Sequence, residues 1–388
     1  MTDAAVVYTD VKDSAAAGRA LGTQIREALG GYLPDALIVF ASSSYDYREL
    51  LAALDSSCHP AVLVGCSSAG EFITASQGVE SACAVALRAS DMVFAASIGR
   101  GLRADTTQAA NELVASFEGL DRHDFLYRSA LILTDALAGH ADSLVEHLTL
   151  HTAGTYQFFG GGAGDDGRFS TTHVFYGNEI VDDAVVALEI LSNKPLGVGV
   201  CHGWQPASPR MRVTEAEGMR LVSVNATPAV EIFLDYAVQT NQTFDHENPL
   251  PFFIHNVIGI DDELEQRLRM PLVLNDDGSI VCAADVPNGA TVQIMCSSAI
   301  SAVDAAAIAT QAALRQIEGY RPKVAFVFDC VATRLRLGHE FSTELAVVGG
   351  VLGETPFVGF NTYGQVARAE GQFSGFHNCT AVVCVIPE

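Results

Sequence analysis

Residues 65–71 read Gly65-Cys66-Ser67-Ser68-Ala69-Gly70-Glu71, straight after the apolar run Ala61-Val62-Leu63-Val64. Two later stretches fall on the same template, Phe159-Gly160-Gly161-Gly162-Ala163-Gly164-Asp165 and Gly359-Phe360-Asn361-Thr362-Tyr363-Gly364-Gln365. In each, small or polar residues lead to a glycine followed by Glu, Asp or Gln. Gly70, Gly164 and Gly364 would supply a backbone conformation closed to other residues, with a carboxylate or amide oxygen placed beside the turn amides. One such turn is an ordinary strand connection. Three at corresponding positions point to a duplicated scaffold or a shared site.

Working outward, each turn closes the same strand-helix-strand unit, followed by a further apolar strand. The first unit starts at Leu37-Ile38-Val39-Phe40, passes a helix near Tyr47 to Leu54, and ends with Cys83-Ala84-Val85-Ala86-Leu87. The second has Ala130-Leu131-Ile132-Leu133, a helix from about His140 to Leu150, and Ala184-Val185-Val186-Ala187-Leu188. The third has Val324-Ala325-Phe326-Val327-Phe328, a helix from about Glu340 to Val351, and Thr380-Ala381-Val382-Val383-Cys384. Between the last two units, short strands alternate with Pro, Asn and Asp-Gly punctuation from about 197 to 298, with helices over 228–236 and 301–317. That stretch reads as antiparallel-rich. The expected fold class is α/β, with mixed sheets and helices built from repeated strand-helix-strand-strand modules in two domains, 1–215 and 216–388.

Composition narrows the function. The 388 residues carry 46 acidic against 22 basic side chains, a formal net charge of −24. Such a field repels nucleic acid and anionic membrane surfaces. Only Lys12, Lys194 and Lys323 are lysines, and no Gly-Lys-Ser/Thr triplet exists for a phosphate loop. The start of the chain lacks a basic, apolar leader, and no apolar run approaches the roughly 20 residues of a membrane span. A cytoplasmic location is expected. Nine cysteines without any Cys-x-x-Cys fit a reduced protein without a structural zinc site.

Single residues suggest several chemistries. Gly162-Ala163-Gly164-Asp165-Asp166-Gly167 matches G-x-G-x-x-G, but the segment from Arg168 to Thr172 has strand rather than helix character, so a dinucleotide site is rejected. Cys66 could be an activated thiol, although no partner base is evident and a buried turn cysteine is the plainer reading. His147 and His151 stand four apart without a His-Glu-x-x-His motif, which reads as two helix-surface histidines, and His140 as a helix start. His202, His255, His339 and His377 lie in more apolar surroundings. A non-covalent haem needs one axial imidazole, an apolar slot and often an arginine at a propionate. His255 and His339 suit that best, with Arg334 and Arg336 as propionate partners.

Together, the turn at 65–71, the run from Gly160 to Asp166, His202-Gly203-Trp204 with Val213-Thr214 and Pro228-Ala229, and the turn at 359–365 with His377-Asn378-Cys379-Thr380 resemble the FIST family. The likeness covers nearly the whole chain, as a FIST N part followed by a FIST C part. Asn225-Ala226 departs from a frequent Asp-Gly of the family. The resemblance implies intracellular signal sensing by a non-enzyme, through a bound small ligand and a regulated partner protein. The run from Gly359 to Arg368 looks like that of the NosP subgroup, haem-binding nitric-oxide sensors acting on a histidine kinase or a cyclic-di-GMP enzyme. On that footing the expected cofactor is haem b, with His255 or His339 on the iron. The alternative is a haem-free sensor of an amino acid, held by Gly65, Cys66, Ser67, Gly70, Glu71, Gly164, Asp165, Tyr363 and Gly364, with turn amides meeting its carboxylate and Glu71 or Asp165 its amine. A Cys66-dependent enzyme ranks last. Neither nucleic acid nor membrane insertion is expected, and a homo-oligomer is left open.

Overall fold

The computed structural model describes residues 2–261, 266–369 and 375–388, with the backbone alone at 299 and 300. Each sequence unit becomes the heart of one six-stranded mixed sheet. In the first, Ala36–Ser42 and Val62–Ser68 run parallel, bridged by the helix Tyr47–Cys58, and Ala82–Ala89 lies antiparallel on the other side of Ala36–Ser42. Asp46 starts that helix by accepting the amides of Arg48 and Glu49. The second sheet repeats the pattern with Tyr127–Thr134, Ala141–His151, Gln157–Gly162 and Ala184–Ser192. The third does so with Pro322–Cys330, Phe341–Leu352, Phe357–Thr362 and Ala381–Pro387.

The sheets are completed by one another. A hairpin of the second unit, Val174–Tyr176 with Glu179–Val181, adds to the edge of the first sheet. A hairpin of the third, Gln365–Arg368 with Gly375–His377, adds to the second. The hairpin of the first, Glu71–Ile73 with Ser76–Gly78, adds to the third. The exchange closes a ring.

The unbroken apolar strands follow from this arrangement, because a strand covered on both faces has no polar side. In Ala36–Ser42 all seven residues are buried. Leu37, Val39 and Ala41 face the helices Ser14–Ala28 and Tyr47–Cys58, while Ile38 and Phe40 point inward. There they meet the inward faces of the other two sheets: Phe40 lies 4.4 Å from Phe360 and 6.3 Å from Phe328, which is 6.2 Å from Phe159. One apolar core therefore sits inside three sheets, with helices outside.

Residues between the second and third units form a fourth sheet, antiparallel throughout, in the order 266–269, 256–261, 291–296, 211–217, 220–224, 280–282, 271–274. Strand Met211–Glu217 runs unbroken through residue 215. The two expected helices run Ala229–Thr240 and Ala299–Gln316. Arg269, fully buried, ties this sheet to the second unit through Asp142 at 2.6 Å. Among the described residues no helix is long and apolar enough to cross a membrane.

Candidate functional site

The three turns meet. Gly164 N–H donates to Ser67 O at 2.9 Å and Asp166 N–H to Ser68 O at 3.1 Å, joining the second turn to the first. Ala69 N–H donates to Asn361 O and Asn361 N–H to Gly70 O, joining first and third. Gly162 N–H donates to Gly364 O and Tyr363 N–H to Gly162 O, joining second and third. These amides are spent on the neighbouring turns, so they do not form the open cradle expected for a ligand carboxylate. Gly70 and Gly364 have φ of +133° and +131°. Gly164 is not in the left-handed region; it is needed because a Cβ there would lie 2.8 Å from Ala69 N. Gly65 likewise admits the backbone of Val39, whose oxygen a Cβ would approach to 2.1 Å.

The residues after the glycines diverge. Glu71 is 1% exposed and accepts hydroxyls from Ser68 and, at 2.6 Å, Ser81. Burial pushes its carboxyl up to about 7, against the pull of those hydroxyls; Asp166 pushes the same way and Arg334 opposes. Gln365 repeats the arrangement in neutral form, bonded to Thr362 three residues back as Glu71 is to Ser68. Asp165 turns inward on its own loop, accepting the amides of Phe169, Ser170 and Thr171 and the Tyr363 hydroxyl. The Tyr363 ring stacks on Phe169 at 4.4 Å. Ser67 Oγ accepts from His173 N–H at 2.9 Å. Cys66 is fully buried, and burial, with Cys83 and Glu71 nearby, pushes its thiol far above the ordinary value, the reverse of an activated nucleophile.

Beside Glu71 a cavity of about 400 Å³ opens between the first and third units, lined by Glu71, Gln77, Arg334, His339, Ser342 and Asn361 together with Phe72 and Phe341. Arg334 Nη1 donates to Ala69 O at 2.8 Å and Asn361 Oδ1 at 3.4 Å, while its Nη2 and Nε find no acceptor among the described residues. Asn361 is 1% exposed and its Nδ2 is likewise without a partner. Asp166 holds Ser42 and Ser43 through Oδ2, and its buried Oδ1 has no partner among the described residues. Glu71, Arg334 and His339 are thus brought to one cavity, although the sequence assigns them to different ligands. Asp166 and Asn361 belong to the repeated motifs, with nothing in the sequence to single them out.

The haem expectation meets a different setting. His339 is exposed at a polar cavity that also holds a carboxyl group, and His255 is exposed and near Arg336. Arg336 turns away from His339, 5.2 Å over the Trp204 ring. An apolar cavity lined by Leu250, Ile254, Leu272 and Leu335 has only about 40 Å³ and no histidine in its wall. Neither cavity offers an imidazole facing an apolar slot of macrocycle size, so these residues do not fit the group. His202 and His377 are engaged elsewhere, His202 bonding Gln266 O and the Trp204 amide, and His377 lying buried at a strand end. His147 bonds Thr107, and His140 starts its helix without a side-chain cap. No cluster of metal-binding side chains is found among the described residues.

Comparison with known proteins agrees with the sequence motifs. Two proteins of Mycobacterium tuberculosis, from strains H37Rv and CDC 1551 / Oshkosh, both uncharacterised, are 23% identical over 381 residues, covering 96% of this chain and 95% of their own. A cyanuric acid hydrolase from A. caulinodans aligns over 100% of both chains at 9% identity and a TM-score of 0.36. A chorismatase aligns over 100% of this chain and 99% of its own at 8% and 0.35. Both scores are too low to carry an argument. The FIST N domain matches residues 35–227 and the FIST C domain residues 229–368, so the chain belongs to the FIST family, whose domains are sensory domains of signalling proteins.

Proposed function

We propose that this chain is a sensor of a small zwitterionic metabolite of the amino-acid class, bound in the cavity between Glu71 and Arg334. The observation that carries the reading is the set of unspent donors there: Arg334 Nη2 and Nε with the buried Asn361 Nδ2, close to the two carboxyl groups of Glu71 and Asp166. Asn361 Nδ2 is buried, and buried polar groups are ordinarily paired, so a ligand carboxylate is the natural partner of it and of the Arg334 guanidinium, and the ligand's ammonium that of Glu71 in the same cavity wall. A volume near 400 Å³ suits such a molecule.

Signalling requires that the ligand bind two states of the sensor unequally. Helix Val331–Leu337 is the element placed to report occupancy, since Arg334 reaches the cavity while Arg336 covers Trp204 beside the fourth sheet. Family analogy makes the regulated partner a histidine kinase or a cyclic-di-GMP enzyme. The test is a thermal-shift and calorimetric screen of amino acids on wild type and Arg334→Met. A ligand at 100 times its Kd should stabilise wild type by about 2.7 kcal/mol and leave the variant unmoved. No response to any amino acid, or an equal response in Arg334→Met, would refute the reading. Stoichiometric haem uptake with a Soret band would replace it with the haem sensor.

A further inference from the structure

We infer that the amino-acid cavity is one end of a longer groove, and that the groove holds a short peptide by its free C-terminus. The inference rests on the reading above in one respect, that Arg334 and Asn361 hold a carboxylate. A second cavity, of about 310 Å³, runs on from the first, with Gln77 and Ser342 in the walls of both. One side of it is the hairpin of the first unit, through Ile73, Thr74 and Ser76. The other is helix Phe341–Leu352, through Leu345, Ala346 and Gly349.

The helix sets the length of the groove. From Ser342 to Gly349 it advances by about 10 Å at the usual helical rise. An extended chain covers about 3.3 Å per residue, so this stretch takes about three residues beyond the one held at Arg334. A single amino acid with its carboxylate fixed there leaves the second cavity to water.

The walls suit a peptide backbone. Ser76–Gly78 is the outermost strand of the third sheet, so its outward N–H and C=O groups have no strand partner among the described residues. Such an edge pairs readily with an extended chain. The helix across from it offers no bulk: Ala346 carries only a methyl group, and a Cβ at Gly349 would meet nothing outside its own helix but Phe357, at 3.6 Å. Ile73 and Leu345 give apolar contact for small side chains. Glu71 keeps its part, because the nitrogen beside the last carboxylate is an amide N–H in a peptide, and a carboxyl oxygen accepts that as it accepts an ammonium.

The test is calorimetry on the full-length protein, comparing each free amino acid X with the peptide Ala-Ala-Ala-X and with the C-terminal amide of that peptide. The best peptide should bind at least about tenfold tighter than its own free X, and amidation should abolish its binding. Gly349→Leu fills the groove from a helical position that accepts side chains, so it should erase the gain and leave the affinity for free X as it is. Gly350→Leu, exposed on the same helix and outside both cavity walls, should change neither. Peptides that bind no tighter than X, an amide that binds as well as the acid, or a gain that survives in Gly349→Leu overturns the inference. The two readings fail separately. Free X that binds wild type but not Arg334→Met, with nothing gained from the three alanines, keeps the amino-acid sensor and removes the peptide groove. A peptide that binds where no free X does keeps the groove and removes the single amino acid as ligand.

Discussion

Glu71→Gln removes one titration from the centre of the molecule and leaves the shape nearly intact. The protein contains its own precedent, because Gln365 occupies the equivalent position and bonds Thr362 where Glu71 bonds Ser68. The Glu71 carboxyl is raised from 4.5 to about 7, mainly by burial. A raised carboxyl means that the folded chain keeps a proton which the unfolded chain releases first. Stability from this group is therefore whole below about pH 4.5, falls as pH rises to about 7, and is level above that. Each unit is worth about 1.4 kcal/mol, so the loss is about 3 kcal/mol at a side chain only 1% exposed. Glutamine does not titrate. The variant should match wild type near pH 4.5 and exceed it progressively, by about 3 kcal/mol at pH 8. Denaturant titrations of both proteins at half-unit pH steps read this directly. Asp329 and Glu344, which burial also raises, contribute to both curves and cancel in the difference. A difference that is constant with pH, or that favours wild type at pH 8, would sink the assignment of a protonated buried carboxyl.

Four further outcomes can be checked. Ligand affinity in wild type should rise between pH 6 and 8 as Glu71 ionises to meet the ammonium, and calorimetry on Glu71→Gln should show that dependence flattened. Gly70→Ala places a Cβ 1.6 Å from Arg334 Nη1 at a φ of +133°; strain of about 1–3 kcal/mol and loss of the ligand-induced melting shift are expected. Phe40→Ala, at the centre of the three-sheet core, should cost about 3–5 kcal/mol in chemical denaturation. Asp142→Ala strands the buried Arg269 guanidinium, at a cost of about 3–5 kcal/mol, and hydrogen exchange should speed up in the fourth sheet before it does in the other three.

The repeat was legible because both faces of its strands are covered, which leaves runs such as Leu37-Ile38-Val39-Phe40 with no polar interruption. The helices from Tyr47, Ala141 and Phe341 were legible for the opposite reason, their one-sided apolar faces. The exchange of hairpins was not. Glu71–Ile73 and Ser76–Gly78 are three residues each, too short to show a period, and their partner strand Phe357–Thr362 lies far along the chain. The site was half visible. The turns named Glu71, but Arg334 and Asn361 reach the same cavity through pairings between units that leave no local mark. Asp165 and Asp166 are adjacent acids, and only the packing shows that the first is consumed by its own loop while the second keeps an oxygen free of partners.

The ring of exchanged hairpins also sets a timetable for synthesis. Strand Glu71–Ile73 leaves the ribosome early, yet the sheet it belongs to is begun only with Pro322–Cys330 and Phe357–Thr362. Roughly 280 residues separate that hairpin from its partner, so at about 5–20 residues per second it waits on the order of tens of seconds. Until the last strands are made, those strand edges and the apolar interior lack their partners, and surfaces of that kind are the ones that holding chaperones bind.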